Sequence, residues 1–401
     1  MTDLKKTNKE LQKLLDLFYP VGKLPAGGVR RVAYTKEEDQ MHMIFREYAS
    51  SHGLFVWEDA FGNSFAANFP NDRVGYTLIG SHLDSVLEGG RYDGVVGVAA
   101  GLMVLLELKA RKLDIPVVVA AFRCEESGNF GLCTVGSSLF TDTLDDKQML
   151  IEGLDGRTLK ECLLSFVSNP VMNTKMIGRY FELHIEQGRV LEDSGKQVGI
   201  VTAIAAPYRC MITLNGIADH SGATPMGLRR DALCAAAGII LDTEDMGKYE
   251  SGYGSVATIG FSETHPNTIN VVPGKVVLKA DMRAIDDGSL LRMENGIKRI
   301  VERRCRERDI SFKIEDLDRK RPAKLSKGQT QKLVKAAKAE EIPYMLMPSG
   351  AGHDAMKLTA VCPSAMLFIP CRNGISHSPD EYVDIEQIKD GIRVLLRTVI
   401  D

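Results

Sequence analysis

The sequence predicts an α/β fold with a mixed, mostly parallel sheet and helices on both of its faces. Short runs of β-branched and apolar residues alternate with helical patterns in the first half of the chain, as they do in parallel sheets. The run at residues 116–122 is apolar throughout, which is typical of a strand buried on both faces. From about residue 208 the order becomes β-α-β-β-α-β, which predicts a compact α+β domain inserted into the first.

The composition is typical of a soluble globular protein with more than one domain. The chain has 401 residues, of which 44% are hydrophobic and 26% are charged. Its formal net charge is −3, so neither nucleic acid nor an anionic membrane is an expected partner. Residues 1–17 lack an apolar signal core and no later apolar run has the length of a membrane span, so we expect a cytoplasmic protein.

The cysteines predict neither a disulfide framework nor a structural zinc site. There are eight in the chain, and none forms a Cys-x-x-Cys pair. Cys124 is the one candidate nucleophile, but two glutamates follow it. Acidic neighbours raise the pKa of a thiol and oppose thiolate formation, so we expect a buried thiol there.

The first domain is predicted from hydrophobic period and turn residues. Helical spacing predicts a helix at residues 11–18 and another that begins with a Thr-x-x-Glu capping box at residues 35–38 and ends near residue 51. The further predicted elements are strands at 54–58, 64–68 and 74–79, a helix at 95–110, and strands at 116–122 and 180–188.

The inserted domain has its own set of elements. They are a strand at 208–216, a helix at 229–246, strands at 254–261 and 268–283, a helix at 288–308 and a strand at 310–315. After about residue 318 the chain returns to helix, strand and helix. We therefore expect one domain at residues 1–207 and 318–401, and an inserted domain at residues 208–317.

Residues 80–101 join a strand, a glycine turn and a helix. The strand at 74–79 delivers His82 and Asp84 at its carboxyl end, where α/β sheets present functional groups. Asp93 opens the following helix, whose N-terminal dipole favours a negative side chain. Taken alone, Asp93 could be a helix cap and His82 a loop histidine. A dinucleotide fingerprint is excluded, because the glycines lie inside the helix rather than directly after the strand.

Several other histidines and carboxylates occupy equivalent positions, at strand ends or in glycine-containing loops. Imidazole combined with carboxylate is the ligand set of zinc, manganese, cobalt or nickel, and one aspartate can bridge two ions about 3.5–4 Å apart. The candidates are His82, Asp93, Glu125, Glu126, His184 and His377.

Seven stretches of the sequence, spread over nearly its whole length, carry a family resemblance. They are GSHLDS (80–85), GGRYDG (89–94), CEES (124–127), ELHIEQG (182–188), ADHSGATPM (218–226), SGAGHDA (349–355) and GISHSP (374–379). In these stretches the chain resembles the M20-type metal-dependent amidohydrolases, and within them the N-carbamoyl-L-amino-acid hydrolase and allantoate amidohydrolase group. The resemblance implies a di-metal catalytic domain of the aminopeptidase type.

The resemblance also implies a division of roles among the candidate ligands. Asp93 is expected to bridge two divalent ions. His82 and His184 would complete one site, and Glu126 and His377 the other. Two divalent ions per subunit, zinc, manganese, cobalt or nickel, are therefore the expected cofactors.

Two further carboxylates have implied roles beside the ions. Glu125 matches the general base of the family, which takes a proton from water whose pKa the ions have lowered. Asp84 matches a carboxylate that orients the imidazole of His82. Without the resemblance, Glu125 would be interpreted as a surface glutamate, but its position beside a candidate ligand at a strand end favours the catalytic role.

The inserted domain resembles the dimerisation and lid domain of the family, so a homodimer is expected. His220 matches a residue that reaches across the dimer to stabilise an oxyanion. Asn270 and Arg283 match residues that bind the substrate, and an arginine suits the carboxylate of an amino acid. Further candidates for substrate binding, each of which could equally be a structural hydrogen-bonding group, are Arg209, Gln187 and His353.

The expected reaction is cleavage of the ureido C–N bond of N-carbamoyl-L-amino acids, which yields the L-amino acid, carbon dioxide and ammonia. Allantoate is itself a ureido acid and would use the same residues, so an allantoate amidohydrolase remains an alternative. An aminoacylase or dipeptidase with the same metal centre is a further alternative. A non-catalytic metal-binding protein is disfavoured, because Glu125 and all the ligands are present.

Overall fold

The computed structural model describes residues 5–70 and 73–401. Within those residues the contacts divide the chain into two compact units. Unit 1 comprises Met1–Thr202, Leu325–Met347 and Gly352–Asp401, and unit 2 comprises Ala203–Lys324 and Pro348–Ala351. The sequence predicts boundaries between domains, which are parts of the chain that fold independently. Those boundaries stay a prediction.

The regular elements are numbered here in chain order. The strands are β1 (Phe55–Glu58), β2 (Ser64–Ala67), β3 (Tyr76–His82), β4 (Val117–Phe122), β5 (Ile177–Ile185), β6 (Val198–Ile204), β7 (Ala206–Asn215), β8 (Asp219–His220), β9 (Val256–His265), β10 (Val271–Val272), β11 (Lys275–Ala284), β12 (Ser311–Arg319), β13 (Ala323–Lys324), β14 (Tyr344–Ser349) and β15 (Ser364–Ile369). The helices are α1 (Lys5–Phe18), α2 (Lys36–Ser51), α3 (Val95–Ala110), α4 (Val135–Phe140), α5 (Leu159–Leu163), α6 (Val190–Asp193), α7 (Ala232–Glu250), α8 (Asp287–Arg306), α9 (Lys327–Ala339), α10 (Ala355–Leu358) and α11 (Ile385–Ile400). Among the described residues, no helix is both long enough and apolar enough to cross a membrane.

Unit 1 is built on a sheet whose centre is parallel. The strand order is β1-β2-β4-β3-β5-β15-β6. The pairs β4–β3, β3–β5 and β5–β15 are parallel, whereas β1, β2 and β6 join by antiparallel pairing, and β14 also pairs with β6. Every residue of β3, β4 and β15 is buried, so both faces of the centre are covered and the strands are apolar. The predicted α/β class with a mostly parallel sheet is confirmed.

Helix α3 fixes the segment that enters it from β3. All but three of its residues are buried, on β3, β4 and β5 and against α1 and α11. Gly94 precedes the helix with φ of +66°, and a Cβ atom there would lie 2.5 Å from the ring of His82. Only glycine accommodates both the backbone conformation and the neighbouring imidazole. The turn therefore holds Asp93 close to the end of β3.

Unit 2 is an antiparallel sheet, in the order β12-β7-β11-β9, packed on α7 and α8. The predicted order β-α-β-β-α-β is present, but the single strand predicted at 268–283 is wrong. Pro273, which has no backbone N–H, separates β10 from β11. The short β10 pairs with β8 instead, and β11 becomes a central strand of the sheet.

Candidate metal centre

The candidate ligands of unit 1 come together because the strands that carry them are parallel neighbours. His82 is the last residue of β3, Glu125 and Glu126 follow β4, and His184 lies near the end of β5. His377 lies in the loop after β15. Strands β4, β3, β5 and β15 are adjacent and parallel, so their carboxyl ends meet at one edge of the sheet.

Two imidazoles and one carboxylate form the most buried group. The Nε2 atoms of His82 and His184 are 3.5 Å apart. They lie 3.4 Å and 3.1 Å, respectively, from Oδ1 of Asp93. With Nδ1 of His184 donating to the carbonyl of Ile185 at 2.9 Å, its Nε2 is an acceptor, and it receives the backbone N–H of Gly94 at 3.2 Å. Nδ1 of His82 similarly faces Asp84, at 3.3 Å.

This group fits a divalent cation. Oδ1 of Asp93 is buried and accepts no hydrogen bond. In the tautomer in which each Nδ1 donates, the two Nε2 atoms beside it carry no hydrogen, and such an arrangement of acceptors is unfavourable unless positive charge joins it. Imidazole nitrogen and carboxylate oxygen are the donors that zinc and related ions prefer.

A second group shares Asp93 with the first. Nε2 of His377 lies 3.5 Å from Oδ2 of Asp93 and 2.9 Å from Oε1 of Glu126. The hydrogen bond to Glu126 raises the pKa of His377 to about 9, so this pair attracts positive charge. Asp93 is thus common to two groups of side chains that could each hold a metal ion, and its role as a bridge between two ions stays a prediction.

Glu125 lies beside these groups, with Oε2 3.9 Å from Nε2 of His82. Together with His82 and Glu126, it forms a further group of side chains that could hold a metal ion. Burial raises the pKa of the Glu125 carboxyl well above its ordinary value, and a nearby cation opposes that shift. A carboxyl group in this environment can both accept and return a proton.

Asp84 connects the ends of β3 and β4. Its Oδ1 accepts from the backbone N–H of Glu125 and its Oδ2 from that of Glu126, both at 3.0 Å. Oδ1 also lies 3.3 Å from Nδ1 of His82. Asp84 therefore has a role that the sequence did not reveal, because its carboxylate fixes the backbone of both glutamates. Its predicted role in orienting His82 stays a prediction.

Glu38 holds the same loop from the other side and was missed by sequence reasoning. Its carboxylate accepts from the backbone N–H of Tyr34 at 2.6 Å and of Cys124 at 3.0 Å, and it pairs with Arg123 at 2.8 Å. The capping box predicted at residues 35–38 is wrong, because Thr35 makes no side-chain cap and Glu38 binds elsewhere. The pattern Thr-x-x-Glu was the only local signal.

Cys124 is buried, and burial raises the pKa of its thiol well above the ordinary value. Its backbone has φ of +52°, a conformation uncommon for residues with a side chain. The bonds of Glu38 to its backbone N–H and to Arg123 hold this strained residue directly before Glu125. Positioning, rather than nucleophilic chemistry, is the contribution of residues 123–124.

Two of the predicted substrate-binding residues lie in unit 1 close to the cluster. Nε2 of Gln187 donates to Oδ2 of Asp93 at 2.8 Å, and its Oε1 is buried without a hydrogen bond. The ring of His353 is buried, 4.6 Å between centroids from that of His184. Burial lowers the pKa of His353 well below its ordinary value, so its imidazole is neutral.

The other predicted residues belong to unit 2, where they form two groups. His220 in β8 pairs with Val271 in β10, and the carbonyl of Asn270 accepts from the backbone N–H of Ser221 at 3.0 Å. The side chain of His220 is exposed, and its Nδ1 accepts from the N–H of Gly222 at 3.0 Å. His220 and Asn270 therefore lie together, at the hairpin between β9 and β11.

Arg283 and Arg209 form the second group of unit 2. Nη2 of Arg283 lies 3.1 Å from Oδ2 of Asp281, and Nε of Arg209 lies 3.4 Å from the same oxygen. Nη1 of Arg283 donates to the carbonyl of Gly350 at 2.9 Å. Both guanidinium groups are partly exposed on the sheet, and Arg209 also lies 3.9 Å from Asp318, so two aspartates balance the charge of the two arginines.

Comparison with known proteins agrees with this picture. The profile described as peptidase family M20/M25/M40 matches residues 78–401. An N-carbamoyl-L-amino acid amidohydrolase of Geobacillus stearothermophilus is 36% identical, over 97% of this chain and 96% of the relative. An allantoate amidohydrolase of Escherichia coli is 33% identical, over 96% of this chain and 95% of the relative.

Solved structures give the same result for the fold. An amidase of the hydantoinase/carbamoylase family from Burkholderia multivorans superposes with a TM-score of 0.92 at 32% identity. The match covers 98% of this chain and 97% of the other, so it includes the elements of both units.

We expect Asp84→Asn to weaken metal binding by about 10–100-fold, as loss of a residue that orients metal ligands does. An amide offers one acceptor oxygen, so in either orientation its NH₂ group faces a backbone N–H of Glu125 or Glu126. Metal content after dialysis against graded chelator measures the effect. Asp155→Asn is the control, because Asp155 also accepts a backbone hydrogen bond but is exposed. Unchanged affinity in Asp84→Asn would contradict the proposed positioning.

Proposed function

Because the chain belongs to the peptidase family M20/M25/M40, and is a hydrolase of amide C–N bonds, we propose that it cleaves N-carbamoyl-L-amino acids to L-amino acid, carbon dioxide and ammonia. The observation that carries this choice is the full-length similarity to an amidohydrolase of that substrate class. The acceptor-rich cluster around Asp93 and the nearby Glu125 support metal-dependent hydrolysis.

We propose that two divalent ions bind at this cluster. Asp93 would bridge them, with His82 and His184 at one ion and Glu126 and His377 at the other. When bound, the ions supply positive charge that polarises the ureido carbonyl and lowers the pKa of a water molecule. The sharing of Asp93 between the two groups of atoms supports this assignment.

Glu125 would act as the general base. Its carboxylate accepts a proton from the attacking water and returns it to the leaving nitrogen, so that the C–N bond breaks to give amine and carbamate. Carbamate then decomposes to carbon dioxide and ammonia. The backbone bonds of Asp84 and Glu38 on either side of Glu125 support this role, because they hold the carboxylate in one position.

Arg283 would bind the carboxylate of the substrate, with Arg209 contributing charge. A guanidinium group donates two parallel hydrogen bonds to a carboxylate, which fixes the orientation of the substrate as well as its position. Asp281 and the carbonyl of Gly350 hold the guanidinium of Arg283, so less conformational freedom is lost on binding. Gln187 and His353 remain proposed contacts near the bridging carboxylate.

We further propose a homodimer in which His220 and Asn270 serve the site of the partner. Within one copy, β11 begins at Lys275, next to the hairpin that carries His220 and Asn270. Arg283 lies near the other end of the same strand. Eight residues of antiparallel strand span about 27 Å. A small ureido acid is much shorter, so a single copy does not bring both ends of β11 to one substrate. His220 would then stabilise the developing oxyanion from the partner chain.

The edge of the unit 2 sheet supports the same proposal. Strand β9 is an edge strand, and its residues Val256 and Phe261 are 59% and 40% exposed. In the hairpin that follows, Ile269 is fully exposed next to Asn270. Exposed edge strands with apolar side chains pair readily with another chain.

Allantoate is the second candidate substrate. The similarity to an allantoate amidohydrolase, at 33% identity, favours it over other amides. Allantoate carries a carboxylate and a ureido group on one carbon, so Arg283 and Glu125 would serve it in the same way. A peptide or acyl amide, as in a dipeptidase or aminoacylase, is the weaker alternative, because neither relative described above bears such a name.

We expect amine and ammonia release from N-carbamoyl-L-amino acids, with slower or no release from N-acetyl amino acids and dipeptides. Purified protein is stripped of metal, reloaded with manganese, zinc, cobalt or nickel, and assayed on these compounds and on allantoate. The stripped protein serves as the control and should be inactive. Highest kcat/KM on allantoate would select the second candidate, and activity confined to dipeptides would contradict both.

We expect Glu125→Gln to retain both ions and to lose turnover by at least about 10²-fold, because glutamine cannot accept a proton. Metal content and kcat are measured on the same preparation. Glu88→Gln is the matched control, because Glu88 is an exposed glutamate in the turn that follows β3. It should leave the metal content and kcat unchanged. Wild-type turnover in Glu125→Gln would refute its role as the base.

We expect His220→Ala and Glu125→Gln to complement each other in a mixed dimer. The two variants are co-expressed with different tags, and the mixed dimer is isolated on both tags in succession. It contains one site with an intact Glu125 and an intact His220 of the partner, so its activity should be about half that of wild type, as dimer symmetry requires. Each parent dimer is the control. A mixed dimer as inactive as its parents would show that His220 acts within its own chain.

A further inference from the structure

Glu381 is a buried carboxylate that binds the backbone of the bridging aspartate. Its Oε1 accepts from the N–H of Tyr92 at 2.8 Å and from the N–H of Asp93 at 3.1 Å. Only 5% of its surface is exposed. It lies four residues after His377, and the N–H of Glu381 itself donates to the carbonyl of Ser378 at 3.1 Å. One carboxylate thus connects the segment of Asp93 with the loop of His377.

Ser376 makes a second connection between the same segments. Its Oγ lies 2.7 Å from Oδ2 of Asp93 and 3.3 Å from Oε2 of Glu381. A hydroxyl has one hydrogen to donate, and the shorter contact to Asp93 receives it. The carboxylate of Asp93 is therefore oriented by a side chain of the same loop that leads to Glu381.

Gly90 leaves the space that Glu381 occupies. A Cβ atom at residue 90 would lie 2.1 Å from Cδ and 2.2 Å from Oε1 of Glu381. Any side chain there would displace the carboxylate from the N–H groups of Tyr92 and Asp93. Glycine is therefore required at residue 90 because the carboxylate of Glu381, from near the end of the sequence, occupies the space of its side chain.

The loop of His377 needs such support. His377 has φ of +53°, which is an uncommon conformation for a residue with a side chain and costs of order 1–3 kcal/mol. Its side chain is 45% exposed, so packing around the imidazole is limited. Besides the contacts of its imidazole with Glu126 and Gln187, the bonds of Glu381 and Ser376 tie the loop of His377 to the segment of Asp93.

We propose that Glu381 is a positioning residue for the metal centre, which fixes Asp93 and the loop of His377 relative to each other so that an ion binds between Asp93, Glu126 and His377. This inference rests on the proposed di-metal function. It predicts that loss of Glu381 weakens the binding of the ion that His377 would hold. Binding of the ion between His82 and His184 should change less.

The test compares metal affinity in the wild type with that in Glu381→Ala and Glu381→Gln. Stoichiometry and both dissociation constants are measured by chelator competition with manganese and with zinc. We expect Glu381→Ala to weaken one ion by about 10–100-fold, as expected for a residue that orients ligands. Glu381→Gln should stay within about threefold of wild type, because its oxygen still accepts from both N–H groups and its NH₂ can donate to Ser376.

A variant elsewhere in unit 1 separates this effect from general loss of a buried carboxylate. Glu340→Ala removes a buried glutamate that pairs with Arg393, and should leave both affinities unchanged. At saturating metal, Glu381→Ala should recover most of its kcat, since Glu381 touches no reacting atom. A kcat that stays low at saturating metal would overturn a purely positioning role.

Gly90→Ala provides a second approach if Glu381→Ala does not fold. Its methyl group displaces the carboxylate without removing it, so one ion should be weakened as in Glu381→Ala. Two ions bound with wild-type affinity in Gly90→Ala or in Glu381→Ala would overturn the proposal. Absence of tightly bound metal in the wild type would instead contradict the proposed function itself.

Discussion

The arrangement of unit 1 depends on one constraint, the convergence of lone pairs on the buried carboxylate of Asp93. Two imidazole nitrogens approach one of its oxygens within 3.4 Å, and that oxygen accepts no hydrogen bond. Such atoms repel one another, and burial strengthens the repulsion. The hydrogen bonds of Gln187 and Ser376 reach only the other oxygen of Asp93, so the segments around it are also fixed by contacts of their own.

Buried carboxylates provide those contacts, and the same device recurs around the site. Asp84 accepts from consecutive N–H groups at residues 125–126, and Glu381 from those at residues 92–93. Glu38 accepts from the N–H of Cys124 and also binds the neighbouring guanidinium. The backbone of each segment, rather than the functional side chain, is therefore what sets the geometry.

The parts of this arrangement that sequence could predict are those with a local signal. The strands carry apolar runs and the candidate ligands lie at or just after their ends, so the parallel sheet and the grouping of His82, Glu126 and His184 were predictable. Glu38 and Glu381 carry no such signal, because their partners lie 86 and 288 residues away. The Thr-x-x-Glu pattern even predicted the wrong partner for Glu38, since a buried ion pair prevailed over a local cap.

The carboxyl groups around Asp93 outnumber the basic side chains there. Carboxyl groups gather there in excess, as a set of buried or nearly buried side chains: Asp84, Asp93, Glu125, Glu126, Glu182, Asp354 and Glu381. Among the described residues, the fully buried arginines are Arg31 and Arg123, and both bind groups outside the cluster. Burial raises the pKa of Asp354 to about 8 and that of Glu381 to about 7, so some of these groups carry protons. The histidines add positive charge only where they are protonated, as His377 is with its raised pKa, so the compensation that remains is met either by protons or by cations placed between Asp93 and its neighbours.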